Sequence, residues 1–253
     1  MRTISYGVTD VGLKREKNED NLLINDELNL FVVADGMGGH AGGEFASQIA
    51  VSTIESFIVQ NLDNELTDPK ATQDPTRHPV TEKLKRSIQM AGDTIYQKAV
   101  QSPDLRGMGT TTVAMMLANA QAYIAYVGDS RIYLVRDSKC KQLTEDHSLV
   151  NEQVKAGIIS AEDAKNHQLR NIITRSVGYQ EEVEIDTLIV DVKKGDRLLM
   201  CSDGLSNFLE DREIADLLGK QELQDSAQDL VDLAIERGGD DNITLIVLEV
   251  IDQ

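Results

Sequence analysis

Cysteine, proline and basic residues are scarce in this 253-residue chain, and long apolar runs are missing. The two cysteines, Cys140 and Cys201, lie 61 positions apart and form no C-x-x-C pair. They make no thiolate metal site and read as two free thiols in a reducing compartment. The longest uninterrupted apolar stretches, Val113 to Ala118 and Ala122 to Val127, have six residues, against the roughly 20 that cross a bilayer as a helix. The opening Met1-Arg2-Thr3-Ile4-Ser5-Tyr6 lacks the apolar core of a signal peptide. The expected location is therefore the cytoplasm, with no membrane partner. Lys and Arg number 25 against 43 Asp and Glu, a net charge of −18, which argues against gripping nucleic-acid phosphates. Neither H-E-x-x-H nor G-x-x-x-x-G-K-[ST] occurs, so zincin peptidases and P-loop NTPases are poor starting points.

What is present is the composition of an ordinary globular protein, 41% hydrophobic and 27% charged. The clearest break is Asn61 to Pro79, which holds three of the four prolines. It separates two amphipathic helical patterns. Phe45, Ile49, Ile54, Phe57 and Ile58 recur at helical spacing upstream, and Val80, Leu84, Ile88, Ala91, Ile95 and Ala99 do so downstream. The break reads as an exposed loop between neighbouring helices rather than a domain boundary, so residues 1–253 are taken as one domain. Strand-like runs cover Ile4 to Val8, Asn21 to Ile24, Leu28 to Ala34, Thr110 to Leu117, Ala122 to Val127, Arg131 to Val135, Val183 to Val192, Arg197 to Cys201 and Ile243 to Val250. Two more helices fit Arg212 to Leu218 and Leu223 to Ile235. This order predicts a layered α+β fold, with antiparallel sheets packed together and helices outside. The polar stretch Asp146 to Gly178 predicts one or two short helices over a sheet edge, near a site.

With acids so common, position matters more than number. Asp35 directly follows the apolar run Leu30 to Ala34, Glu19 and Asp20 precede Asn21 to Ile24, and Asp129 sits in a tight loop between two strands. Asp203 follows Arg197 to Cys201 with only Ser202 between, and Asp240 and Asp241 precede Ile243 to Val250. A single carboxylate beside glycine at a strand end is an ordinary turn former. Several that converge would repel one another unless cations neutralised them. Ligands that are all oxygen suit Mg²⁺ or Mn²⁺ better than zinc. A carboxylate bridging two such ions is a standard arrangement for hydrolysing phosphate esters. Arg15, four residues before Glu19, offers a guanidinium fork that matches phosphate geometry.

Six segments then occur in order: Arg15-x-x-x-Glu19-Asp20-Asn21, Ala34-Asp35-Gly36-Met37-Gly38-Gly39-His40, Gly107-Met108-Gly109-Thr110-Thr111, Gly128-Asp129-Ser130-Arg131, Ser202-Asp203-Gly204 and Asp241-Asn242-Ile243-Thr244. From Ile4 to Val250 the chain resembles the PPM, or protein phosphatase 2C, family of metal-dependent serine/threonine phosphatases, in its bacterial branch. The resemblance implies a four-layer α/β/β/α sandwich with two stacked antiparallel sheets. It implies two Mn²⁺ or Mg²⁺ ions, with Asp35 bridging them, the Gly36 carbonyl binding one, and Asp203 and Asp241 completing the other. Glu19 and Asp20 would hold that shell directly or through water. Asp129 with Asp203 resembles the site of a third, weaker ion. Arg15 would bind the substrate phosphate, and residues 146–178 would be the flap linked to substrate selection. The implied reaction is hydrolysis of phosphoserine and phosphothreonine by direct attack of a metal-bridging hydroxide, with no phosphoenzyme. Cys201 and Ser202 accordingly carry structural roles only. The implied partners are phosphorylated proteins made by a Ser/Thr kinase, met by a monomer.

Animal members carry a proton-donating His directly after the Asp-Gly pair, whereas this chain has Met37, and His40 stands three positions on. A rival reading takes Gly36-Met37-Gly38-Gly39-His40-Ala41 as G-x-G-x-x-A of a dinucleotide site. Against it, Asp35 would place a negative charge beside the pyrophosphate, and no second parallel strand follows. A non-catalytic phosphoprotein-binding domain would be expected to lack ligand positions, all of which are filled here.

Overall fold

The structure, a computed structural model, describes residues 2–38, 42–62, 78–165, 167–220 and 222–252. His40 and most of the Asn61 to Pro79 break fall outside them. The described strands are β1 (Arg2–Asp10), β2 (Asp20–Asn25), β3 (Leu30–Met37), β4 (Gly109–Thr110), β5 (Thr112–Ala118), β6 (Gln121–Val127), β7 (Arg131–Arg136), β8 (Lys139–Gln142), β9 (Asp186–Asp191), β10 (Arg197–Cys201) and β11 (Ile243–Asp252). The helices are α1 (Gly42–Gln60), α2 (Pro79–Gln101), α3 (Leu149–Lys155), α4 (Ala161–Lys165), α5 (Asp203–Ser206), α6 (Asp211–Lys220) and α7 (Leu223–Glu236).

Side-chain parity sorts these elements into layers. Successive residues of a strand point to opposite faces. In β3, Leu30, Val32 and Ala34 join a core shared with α1 and α2, while Phe31 and Val33 join a core between the two sheets. In β11, Ile243, Leu245 and Val247 pack with α6 and α7, while Ile246, Leu248 and Val250 face the same inter-sheet core. Strands covered on both faces need no polar alternation, which explains the continuous apolar runs. One sheet has the order β1-β11-β10-β7-β8 and the other β2-β3-β5-β6-β9, with β4 paired to β3. The described strand pairs are antiparallel. The result is the expected α+β sandwich of four layers.

Several boundaries differ from the sequence reading. β3 continues past Ala34 through Asp35 and Gly36 to Met37, because β4 pairs with Gly36 and Met37. Asp35 therefore sits inside a strand, not after one. The Thr110 to Leu117 run is interrupted at Thr111, whose amide donates to the Asp35 carbonyl at 2.8 Å. Strand β8 was not expected: Lys-Cys-Lys-Gln at a sheet edge buries little, so it carries no apolar signal. Its cue is Asp137-Ser138, both at positive φ (52° and 59°), which makes the tight β7–β8 turn. The flap stretch holds two short helices, α3 and α4, as expected.

Candidate active site

The sequence-selected acids meet at one end of the sandwich. Register places Asp20 of β2 directly opposite Asp35 of β3. Burial pushes the Asp35 carboxyl well above its usual range, and Asp20, Asp203, Asp129 and Asp241 push it further. Asp20, 6% exposed, is raised to about 7, chiefly by burial. Asp129, 8% exposed, is raised by burial and by Asp203 and Asp146, against the pull of Arg131. Asp203 is raised by burial and by Asp241, against the pull of Arg131 and of a hydrogen bond from Asn207 at 3.1 Å.

Backbone contacts hold this cluster. A Cβ on Gly36 would lie 2.1 Å from the Gly43 carbonyl oxygen and 2.5 Å from that of Glu19, so only glycine fits between β2 and the start of α1. The Gly-Thr-Thr segment grips Asp35: the Thr110 hydroxyl donates to its carbonyl at 2.8 Å, and its amide donates to Thr111 Oγ1 at 3.2 Å. Glu19 packs against Gly43 at the first turn of α1. Burial raises its pKa while Arg15 opposes the rise. Arg15, half exposed, donates to Asp241 Oδ2 at 2.6 Å. Met37 ends β3 and offers no titratable proton there.

Three residues that sequence reasoning left without a role support the acids. The buried Ser202 hydroxyl donates to Asp20 Oδ2 at 2.8 Å and accepts from the Thr244 amide at 3.0 Å. Asn242 Oδ1 accepts from the Glu19 amide at 2.8 Å, and its Nδ2 donates to the carbonyls of Val11 and Lys17. His147, 6% exposed, accepts from the Gly128 amide. Asn242 and Ser202 lie inside motifs that were visible in the sequence; the partners they hold were not.

Among the described residues, no three Asp, Glu, His or Cys side chains stand in the closed geometry of a finished metal site. The residues nonetheless fit hard divalent cations. The converging donors are all oxygen. Asp20 Oδ1 is buried and has no hydrogen-bond partner, a lone pair that only a cation or a proton would satisfy.

The model of the family described as protein phosphatase 2C matches residues 14–238. The chain belongs to this family. A curated relative, the serine/threonine phosphatase stp of Listeria welshimeri, is 40% identical over 245 residues, covering 95% of this chain and 93% of the relative. The solved serine/threonine phosphatase PstP/Ppp of Mycobacterium tuberculosis superposes with a TM-score of 0.87 at 34% identity, over 100% of both chains. The catalytic domain of PstP, solved in complex with two manganese ions, superposes at 0.82 with 34% identity over 99% of both chains. By family the chain is a serine/threonine protein phosphatase, a phosphoric monoester hydrolase.

In this phosphatase 2C chain the acidic end opens into a cleft of about 560 Å³. Asp129 and Asp203 form one wall, α3 and α4 of the flap another, and Ser206 to Asp211 a third. The root of the flap is tied down at Arg131, whose Nε and Nη2 hold both oxygens of Asp146 at 2.6–3.1 Å. Its far end is tied by the Val177 amide donating to the Thr110 carbonyl at 2.8 Å. Both anchors lie beside proposed ligands. Among the described residues, no helix is long and apolar enough to cross a membrane.

Proposed function

We propose that this chain dephosphorylates phosphoserine and phosphothreonine in proteins, using two Mn²⁺ or Mg²⁺ ions held by Asp35, the Gly36 carbonyl, Asp203 and Asp241, with Asp20 and Glu19 behind them. Asp129 and Asp203 would hold a third, weaker ion. The observation that carries this is the half-buried Asp35, with four further carboxylates raising its pKa. When bound, such ions acidify water and withdraw charge from phosphoryl oxygens.

The chain's own residues divide the remaining work. Cations would be held by the ionised carboxylates, and with Asp35 and Asp203 raised in pKa, loading would be favoured by rising pH. Arg15 Nη2 donates to Asp241 Oδ2 at 2.6 Å, at the edge of the acidic cluster. The Arg15 fork would hold two phosphoryl oxygens there. Neither Cys201 nor Ser202 competes as nucleophile: burial pushes the Cys201 thiol to about 12, and the Ser202 hydroxyl is committed to Asp20. With Met37 after the Asp-Gly pair, the leaving Ser or Thr oxygen takes its proton from water. The cleft under the flap seats residues flanking the phosphorylated one. The charge of −18 favours neutral or basic substrate surfaces. The phosphoproteins are products of a Ser/Thr kinase, and the enzyme acts as a cytoplasmic monomer.

The test is phosphate release from Ser and Thr phosphopeptides with and without Mn²⁺, with EDTA and Asp203→Ala as controls. Release that requires metal and fails in Asp203→Ala supports the proposal. Release that survives EDTA, or persists in Asp203→Ala, overturns it.

A further inference from the structure

His147 stands at the crossing of the flap and the Gly128–Asp129 turn, and it has no place in the reaction described above. Its ring is buried against Tyr126, with centroids 5.4 Å apart and planes 14° from parallel. Nδ1 accepts the Gly128 amide at 3.1 Å, and Nε2 faces Asp186 Oδ2 at 3.1 Å. The Gly128 amide can only donate, so Nδ1 accepts and a neutral ring carries its proton on Nε2, towards the Asp186 carboxylate; Arg175 Nη1 stands 3.5 Å from the same nitrogen. Asp186 is in turn held by Arg175 from the far end of the flap, at 3.3 Å.

The main chain of the same residue makes a second set of ties. The His147 amide donates to the Gly128 carbonyl at 2.9 Å, and its carbonyl accepts from the Thr174 amide at 2.8 Å. One residue thus binds both polar groups of Gly128 and joins the entry and the exit of the flap. Gly128 has φ 105°, and a Cβ there would lie 2.6 Å from Thr111 Cβ. The turn is therefore wedged between the segment that grips Asp35 and the His147 ring. The next residue is Asp129, buried and facing Asp203.

We infer that His147 is a positioning residue for Asp129: through Nδ1 it fixes the Gly128–Asp129 turn, and through its main chain it couples that turn to the flap. This rests on the proposal that Asp129 holds the weaker ion. Outer-shell partners of metal ligands typically govern affinity by about 10–100-fold. Flap placement and occupancy of that ion would then be linked through one imidazole.

Two substitutions separate the two ring bonds. In His147→Asn the amide oxygen falls where Nδ1 was and can still accept from Gly128. In His147→Gln the amide nitrogen falls where Nε2 was and can still donate to Asp186, but Gly128 loses its acceptor. The first readout is ¹⁵N NMR of the metal-free native protein, where we expect an Nε2–H tautomer and a coupling across the Gly128 N–H···Nδ1 bond. The second is Mn²⁺ calorimetry. His147→Gln should weaken the weaker site about ten-fold, and His147→Asn should keep native affinity. Asp186→Ala, which leaves the ring in place, should shift the tautomer towards Nδ1–H and weaken the same site. Asp129→Ala should remove it. An Nδ1–H tautomer in the native protein overturns the inference. So does a native isotherm in both His147→Gln and Asp186→Ala, or equal loss in His147→Asn and His147→Gln, the mark of a merely structural ring. A native isotherm in Asp129→Ala overturns the ligand assignment and this inference with it. Loss in Asp129→Ala with none in His147→Gln or Asp186→Ala overturns the inference alone. Should His147→Gln fail to fold, the tautomer and Asp186→Ala still decide.

Discussion

Asp196 and Asp20 are both buried carboxylates at strand starts, and the protein treats them in opposite ways. Asp196, 1% exposed, opens the way into β10 and receives everything it needs. Arg136 Nε and Nη2 hold its two oxygens at 2.8 and 2.5 Å, and the Lys193 amide adds a third donor at 2.8 Å. Asp20, 6% exposed, opens β2 with one hydroxyl donor on Oδ2 and nothing on Oδ1. The acids around it add repulsion instead of relief. A buried charge that is fully paired is a structural device, whereas one left uncompensated leaves a place for a cation that the fold does not supply. Their contrast separates a merely acidic protein from a site.

The largest effect should come from removing the charge at the centre of the uncompensated cluster. Asp35→Asn should lower kcat by more than about 100-fold, since even outer partners of a metal ligand are worth about 10–100-fold. The metal-free mutant should melt higher than the native protein at pH 8, because one repulsive charge is gone. Saturating Mn²⁺ should raise the native midpoint by roughly 5–10 °C, from about 2.7 kcal/mol at a hundred times Kd, and should barely move that of Asp35→Asn. Near-native kcat in the mutant would remove the bridging role. At the compensated pole the same logic reverses. Arg136→Met strands Asp196 and should destabilise the protein by about 3 kcal/mol, near the low end for breaking a buried pair because Arg136 is about one-third exposed. Its kcat per folded molecule should stay native. Equal denaturation midpoints for Arg136→Met and the native chain would show that Asp196 never depended on its partner.

These two poles were not equally legible in the sequence. Asp35, Asp203 and Asp241 stood out because each abuts an apolar strand, and strand ends can be read from hydropathy. The layers were legible for the same reason: β3, β6 and β11 are apolar on both faces. Hydrogen bonds between distant positions leave no such trace. Ser202 and Asp20 are 182 positions apart, and Asn242 and Glu19 are 223 apart. The motif around His147 looked like polar flap, since an imidazole buried under Tyr126 and capped by Asp186 is visible only once β6 and β9 are paired. β8 escaped because an edge strand of alternating lysines buries too little to show a period.

A smaller effect, with a definite sign, is expected from pH. In the metal-free chain Asp20, Asp35, Asp129 and Asp203 all have folded pKa values above their ordinary 3.8, and that of Asp20 is about 7. The folded state then binds more protons than the unfolded one across that window. Stability should fall as pH rises from about 4 through the raised folded pKa values, that of Asp20 at about 7 among them. Melting in EDTA should therefore be higher at pH 5.5 than at pH 8, and Mn²⁺ should reverse the order because it displaces those protons. A metal-free midpoint that climbs over this range would contradict the uncompensated cluster. Asp35→Asn should flatten the slope.

The finest probe of the contrast is the Ser202 hydroxyl that donates to Asp20 Oδ2. Ser202→Ala removes the 2.8 Å bond to Asp20 Oδ2 and the acceptor of the Thr244 amide. Two buried groups lose a partner, so destabilisation of about 1–3 kcal/mol is expected in EDTA. At the same time the carboxyl loses a contact that favours its charged form, which should carry its pKa further up. The metal-free mutant should then lose stability with pH over a higher range than the native chain. Ser202→Thr, which retains the hydroxyl, should restore the native pH profile even if its methyl costs some packing. If Ser202→Ala merely shifts the whole profile down by a constant, the hydroxyl serves only the Thr244 amide and does nothing for the charge on Asp20.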